Sequence, residues 1–249
     1  MRAAAIIALT GSVLGGCSDG ACIEGVCPDL DEPRALPGPC VAATDSWVDN
    51  CSFTYTSAGR IALARCQVWN SFGDYTEERN TVWSYDGSEQ VIGIVESAEL
   101  PRLVLRSWKW DATQVQKLGS GNALVATYDR ATFAFFADSW AHMYRPHAEL
   151  GLLATGAGSA RVDYQWSRTG NHLERTGTDG SHATAELDDA GRLVSFDDGV
   201  SDDRFTYEGD RLIRREAGGA RVDYRYDRGG NLAEVVSPDA REVYDYSCW

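Results

Sequence analysis

Lysine is nearly missing from this chain. Lys109 and Lys117 are the only two, so arginine carries almost all of the positive charge. The 23 Lys and Arg residues face 37 Asp and Glu, and no basic run relieves the excess. Such a body repels phosphate backbones, which excludes nucleic acid as a partner. Histidine is scarce as well, at 4 residues, so zinc hydrolase chemistry is poorly served. No Gly-x-Ser-x-Gly elbow, His-Glu-x-x-His pair or phosphate-cradling glycine loop occurs, which removes the enzyme classes that those signatures mark. Long apolar runs are also lacking. Only residues 1–16 are apolar enough for a membrane, and that run is too short to span one.

What is present argues for a folded body. The 249 residues are 43% hydrophobic and include 8 Trp and 11 Tyr, enough to build a core despite a mean hydropathy of −0.33. One sizeable all-β domain fits this length, in preference to two small ones.

The N-terminus has the layout of a targeting segment: Met1-Arg2, then apolar Ala3 to Leu14, then small residues. The ending Leu14-Gly15-Gly16-Cys17 resembles the lipobox of bacterial lipoproteins. That resemblance implies cleavage before Cys17, acylation of its sulfur, and the membrane as a partner through N-terminal acyl chains. Three such chains would exceed what stable anchoring needs. Ser18 after the cysteine points, by the same analogy, to the outer membrane. Removing residues 1–16 takes the formal charge from −14 to −15, an acidity suited to solubility beside a membrane or to attracting divalent cations.

Six cysteines follow: Cys22, Cys27, Cys40, Cys51, Cys66 and Cys248. An even number in an exported chain points to three disulfides, and a zinc site is disfavoured because the spacings match no familiar pair motif. Cys51 and Cys66 lie symmetrically about a turn expected at Ser57-Ala58-Gly59 and should face each other across a hairpin; the other pairings stay open. Residues 17–50 read as the lipidated Cys, a tether and a Cys-rich lead-in with little regular structure. Residues 51–249 form the expected repeat domain.

In that domain one pattern recurs. An aromatic or apolar residue leads into a polar turn, often Asp-x-x-Gly, then Arg, Asn or Gln, then an aliphatic residue. Clean copies are Tyr55 to Ile61, Leu187 to Leu193 and Tyr226 to Leu232. Variants run from Tyr85 to Val91, Trp110 to Val115, Tyr128 to Phe133, Trp166 to Leu173, and Tyr207 to Leu212. Asp at the first turn position accepts backbone N–H bonds, and Gly at the fourth supplies a positive φ. The anchors Leu173, Leu193, Leu212 and Leu232 recur every 19 or 20 residues, about two strands and two turns, with Leu153 on the same period. These units, with Arg221 to Asp227 reading Arg-x-x-Tyr-x-Tyr-Asp, resemble the YD repeats of RHS-type proteins, loosely over 51–249 and well over 160–246. The resemblance implies hairpins coiled into a twisted, enclosing sheet, and some members of that family bind carbohydrate. This chain is too short to enclose a passenger domain.

Several groups of residues invite a functional reading. Phe133, Phe136, Trp140 and Tyr144 have helical spacing, so a short amphipathic helix over 133–150 is expected to cover the sheet. Asp138, His142, Tyr144, Arg145 and His147 in the same stretch could serve a hydrolase. His172 and His182 fall at or near turns and read as solvated. Asp197, Asp198, Asp202 and Asp203 crowd a loop around Gly199, as a calcium site or a solvated turn would. Trp69, Trp83, Trp108, Trp110 and Trp166 lie in or beside strands; each is expected in the core, with an outward stacking platform for glycans as the alternative.

The expected fold is an antiparallel β-hairpin array curled into a barrel-like or spiral sheet, with a five-bladed β-propeller as the alternative. The expected function is that of a membrane-anchored envelope lipoprotein, non-enzymatic and without a cofactor or metal, that presents a surface to a protein partner or a glycan. The alternative is a hydrolase, acting on glycans or otherwise, around residues 138–147.

Overall fold

Short alternating segments broken by turn residues can bury only one face each, and they do so here in a single sheet of 18 strands. The computed structural model describes residues 22–23, 26, 34–44, 48–69, 76–86, 91–98, 103–130 and 148–249. The first half of the sheet comprises β1 (Val41–Thr44), β2 (Val48–Tyr55), β3 (Ile61–Trp69), β4 (Thr76–Tyr85), β5 (Val91–Ala98), β6 (Leu103–Trp110), β7 (Gln114–Gly119), β8 (Leu124–Asp129) and β9 (Leu152–Thr155). The second comprises β10 (Val162–Thr169), β11 (His172–Gly177), β12 (His182–Leu187), β13 (Leu193–Asp197), β14 (Asp202–Glu208), β15 (Arg211–Ala217), β16 (Ala220–Tyr226), β17 (Leu232–Val236) and β18 (Arg241–Asp245).

Each strand pairs antiparallel with the next, from β2 with β3 through β17 with β18. The ring closes through β1, which pairs with β18 from Val41↔Asp245 to Thr44↔Glu242 and with β2 at Val41↔Ser52 and Ala42↔Cys51. The result is an up-and-down barrel without a free sheet edge, which removes the usual template for edge-to-edge association. A propeller is ruled out, because the strands form one continuous wall rather than separate blades.

Alternation decides what fills the wall. On β14, Asp203, Phe205 and Tyr207 face inward while Asp202, Arg204 and Thr206 are exposed. The inward residues Phe53, Ile61, Trp83, Phe196, Phe205, Leu212, Tyr224 and Tyr244 form one buried cluster. A second, around Val115, Ala126, Tyr128 and Leu152, fills the region of β7 to β9. These two clusters line the inner face of the wall, where their side chains pack against one another.

Three expectations need correction. The lead-in is more ordered than expected, because residues 41–50 supply β1 and the start of β2. Tyr128 and Asp129 end β8, but the strand that returns beside it is β9, so this copy does not close a tight hairpin. The anchor of that repeat is Leu152, 3% exposed, one residue before Leu153. Of the helix expected over 133–150, residues 131–147 lie outside the described ones, and Ala148–Gly151 form a 3₁₀ turn.

Candidate functional site

Strict up-and-down order sorts the turns by type. Those that follow the recurring aromatic residues, at 56–60, 111–113, 170–171, 188–192, 209–210 and 227–231, all lie at one end of the barrel, the repeat end. The turns at 120–122, 178–181, 198–201, 218–219 and 237–240 lie at the other, the far end.

Each repeat turn is held as its sequence requires. In the turn after β12, Asp188 Oδ1 accepts the N–H groups of Ala190 and Arg192, both at 2.9 Å, and Gly191 has φ +77°. Thr56 Oγ1 takes the place of Asp in the first copy and accepts the Arg60 N–H at 3.2 Å. Asp111 Oδ1 caps Thr113 and Gln114 at 2.8 and 2.7 Å. The Arg after the glycine links one repeat to the next. Arg192 pairs with Asp188, donates to the Gly209 carbonyl of the following turn, and stacks 4.8 Å over Tyr207. The side-chain bond from Arg192 and the backbone N–H bonds hold the Asp188 carboxyl below its ordinary range.

Four of the recurring aromatic residues have a second task. Tyr226 donates its hydroxyl to the Leu212 carbonyl at 2.9 Å, Tyr246 to Leu232 at 2.9 Å, and Trp166 its indole N–H to Leu152 at 3.1 Å. Each acceptor is the aliphatic anchor 14 residues earlier, so the recurring aromatic and the recurring Leu are the two halves of one contact. Tyr85 makes the equivalent bond to Ile61 at 2.6 Å.

Residues 34–40 lie across this end. Asn231, where the other two clean copies have Arg60 and Arg192, accepts the Leu36 N–H at 2.7 Å and donates to the Arg34 carbonyl at 2.7 Å and to Asp227 at 2.6 Å. Asp227 and Asn231 are both buried. Gly229 lies against the Arg34 backbone where a Cβ would not fit. Tyr55 donates to the Pro39 carbonyl, Trp249 to that of Gly38, and a disulfide joins Cys40 to Cys248. Burial raises the phenols of Tyr55 and Tyr246 above their ordinary value. Sequence reasoning did not single out this clamp. Its signals were Asn in place of Arg and the doubled Gly229-Gly230.

Toward the far end the interior carries charge. Arg215 bonds Asp203, 2% exposed, at 2.7 Å, and Tyr224 beside them is raised by burial. Arg175 is buried and stacks 4.8 Å over Tyr164 and 5.7 Å over Trp166. These groups tie neighbouring strands together, as a structural polar layer does.

The other candidate residues fall as follows. Cys51 pairs with Cys66 across the β2–β3 hairpin, directly in register. Cys22 is disulfide-bonded, while Cys17, Ser18 and Cys27 lie outside the described residues. So do Asp138, His142, Tyr144, Arg145 and His147. His172 sits on the outer surface between Glu186 at 2.5 Å and Glu174 at 3.6 Å, and His182 is exposed. The carboxylates of the acidic loop do not converge. Asp197 and Asp198 accept backbone N–H groups of their own turn, Asp202 bonds Arg204, and Asp203 points inward to Arg215. Among the described residues, no group of three or more His, Cys, Asp and Glu could hold a metal ion. Trp83, Trp108, Trp110 and Trp166 are buried or half-buried and pack in the core clusters; Trp69 ends β3, its side chain outside the described ones. Trp249 is the one exposed aromatic side chain among the described residues.

No family model and no curated protein matches the chain. Among solved structures it is similar to a porin-like protein from Bacteroides uniformis ATCC 8492. The identity is 9% and the TM-score 0.38, over 83% of this chain and 96% of that one.

Proposed function

We propose that this chain is a lipid-anchored protein of the cell envelope whose barrel stands outside the bilayer and presents a binding or structural surface to another envelope component. The observation that carries this reading is the polarity of the wall. A barrel that spans lipid turns an apolar band outward and is polar within. This one buries Phe, Tyr, Leu and Trp within, and its large exposed apolar side chains among the described residues reduce to Val82, Val95, Val125, Val200 and Trp249. Membrane attachment then falls to the Leu14-Gly15-Gly16-Cys17 sequence, and the disulfides suit an oxidising compartment. A protein partner is favoured over a glycan, because the aromatic residues that would stack on sugar rings are committed to the core. The hairpins are read as YD-type units, supported by the recurring aromatic-to-anchor bond.

Fractionation of the protein and its Cys17→Ala variant tests the reading. The parent is expected in the membrane fraction and to require detergent for release. The variant is expected as a folded, disulfide-bonded barrel in the aqueous fraction. A variant that stays in the membrane with the parent's detergent requirement would overturn the proposal, since the wall itself would then be holding lipid.

A further inference from the structure

The lead-in is docked on the barrel at two places, and the first lies only a few residues from Cys17. Ile23 and Val26 exchange backbone hydrogen bonds at 2.9 and 2.8 Å, forming a small bridge. Ile23 is buried with Ala43 of β1 and Val243 of β18, and Val26 packs beside them. Ala42 and Tyr244, adjacent in the same strands, belong to the inner core, so alternation puts Ala43 and Val243 on the outer face. This bridge therefore covers the outside of the seam where first and last strands meet. The second docking place is the clamp of residues 34–40 on the repeat end.

From these contacts, and resting on the lipid-anchor reading above, we infer that the barrel is held at the membrane by its β18–β1 seam, with the β9–β10 wall turned away from the bilayer. Ile23 is six steps along the chain from Cys17, so even fully extended chain carries the acylated sulfur no more than roughly 20 Å from the seam. The β9–β10 pairing lies half the ring from the seam in either direction, nine strands or on the order of 40 Å around the wall at the usual strand spacing. A tether pinned at Ile23 cannot bring lipid to that side. The docking of Ile23 therefore sets the reach of the anchor, whatever the length of chain between it and β1.

Fluorescence quenching by nitroxide-headgroup lipids tests the orientation. The acylated full-length protein is reconstituted into phosphatidylethanolamine/phosphatidylglycerol vesicles, with a dye at either of two exposed sites. Asp239→Cys places it in the turn between β17 and β18; Gln165→Cys places it on β10. Quenching at 239 is expected to exceed that at 165 several-fold. A Gly/Ser insertion of about 30 residues after Asp19, with an r.m.s. reach of roughly 30 Å, is expected to remove most of that difference. Equal quenching at the two sites with the native tether, in protein that floats with the vesicles, would overturn the orientation and leave the anchor reading intact. Protein that does not float with the vesicles would overturn the anchor itself, and the orientation with it.

Discussion

The turns Leu187 to Leu193 and Tyr226 to Leu232 share one pattern and one hydrogen-bond scheme, yet they end in opposite environments. In the first, Asp188 and its Arg192 partner lie in reach of solvent, and the arginine reaches sideways to the next repeat. In the second, Asp227 and Asn231 are buried beneath residues 34–36, and the side chain after the glycine turns to the lead-in instead. Gly191 and its counterpart Gly230 both take a positive φ, but the second turn has a further glycine, Gly229, where the first has Ala190, and it differs in kind. Gly191 is required by its positive φ and has nothing near the place of a Cβ, whereas Gly229 is required by the approach of another backbone. One motif therefore does two jobs: joining neighbouring repeats, and receiving the chain that closes the barrel.

Removing the covalent support of the clamp should have the largest effect. Cys40 and Cys248 close a loop of 208 residues, so replacing both with Ser is expected to cost about 5 kcal/mol by loop-closure entropy, against about 3 kcal/mol for replacing the Cys51–Cys66 pair. Chemical denaturation of the two double variants measures the ratio. A smaller loss for the terminal pair would mean that the lead-in and C-terminus stay together without it.

Asn231→Ala is expected next, at about 2–4 kcal/mol, because it orphans the Leu36 N–H and the Arg34 carbonyl together. Arg192→Ala in the open turn should lose clearly less, as ion pairs in reach of solvent do. Equal losses, read from thermal unfolding, would erase the distinction between the two turns.

The glycines sharpen it. Gly229→Ala is expected to cost about 2–3 kcal/mol through overpacking against Arg34, and to be relieved in a chain lacking residues before Gly38. Gly191→Ala should cost about 1 kcal/mol from its left-handed backbone, with the same value in both chains. Urea midpoints of the four proteins test this; relief at both glycines would show that residues 34–37 matter to every turn.

The smallest effect belongs to the solvent-facing wall. The hydrogen bond to Glu186 raises the His172 imidazole above its ordinary value, with Glu174 adding to the effect. A raised histidine stabilises the fold fully below its unfolded pKa of about 6.5 and loses that contribution as pH climbs through the folded value. His172→Gln should flatten this slope in stability measured across neutral pH. An unchanged slope would assign it to another group.

Much of the wall was legible because hairpins are local. Asp188, Gly191 and Leu193 act within a few residues of one another, so spacing alone located their turn, its cap and its positive φ. The Cys51–Cys66 pair followed from symmetry about the Ser57 to Gly59 turn in the same way. The Tyr128 copy failed because the strand that pairs beside it, β9, is not adjacent in sequence. The acidic loop left two readings open, a calcium site and a solvated turn. Four nearby aspartates could have converged on a cation, but strand alternation sends Asp203 inward to Arg215 while Asp197 and Asp198 cap their own turn.

The sequence by itself determined that this chain is an antiparallel array of hairpins, with the positions of most turns and the large-residue faces of strands such as β10 and β16, since those depend on period-two alternation and on turn chemistry within a few residues. Only the tertiary structure decided that the array closes. Closure rests on contacts between residues about two hundred positions apart, Val41 with Asp245, Cys40 with Cys248 and Arg34 with Asn231. No local pattern encodes such pairs; they form only when the whole ring brings first and last strands to the same seam.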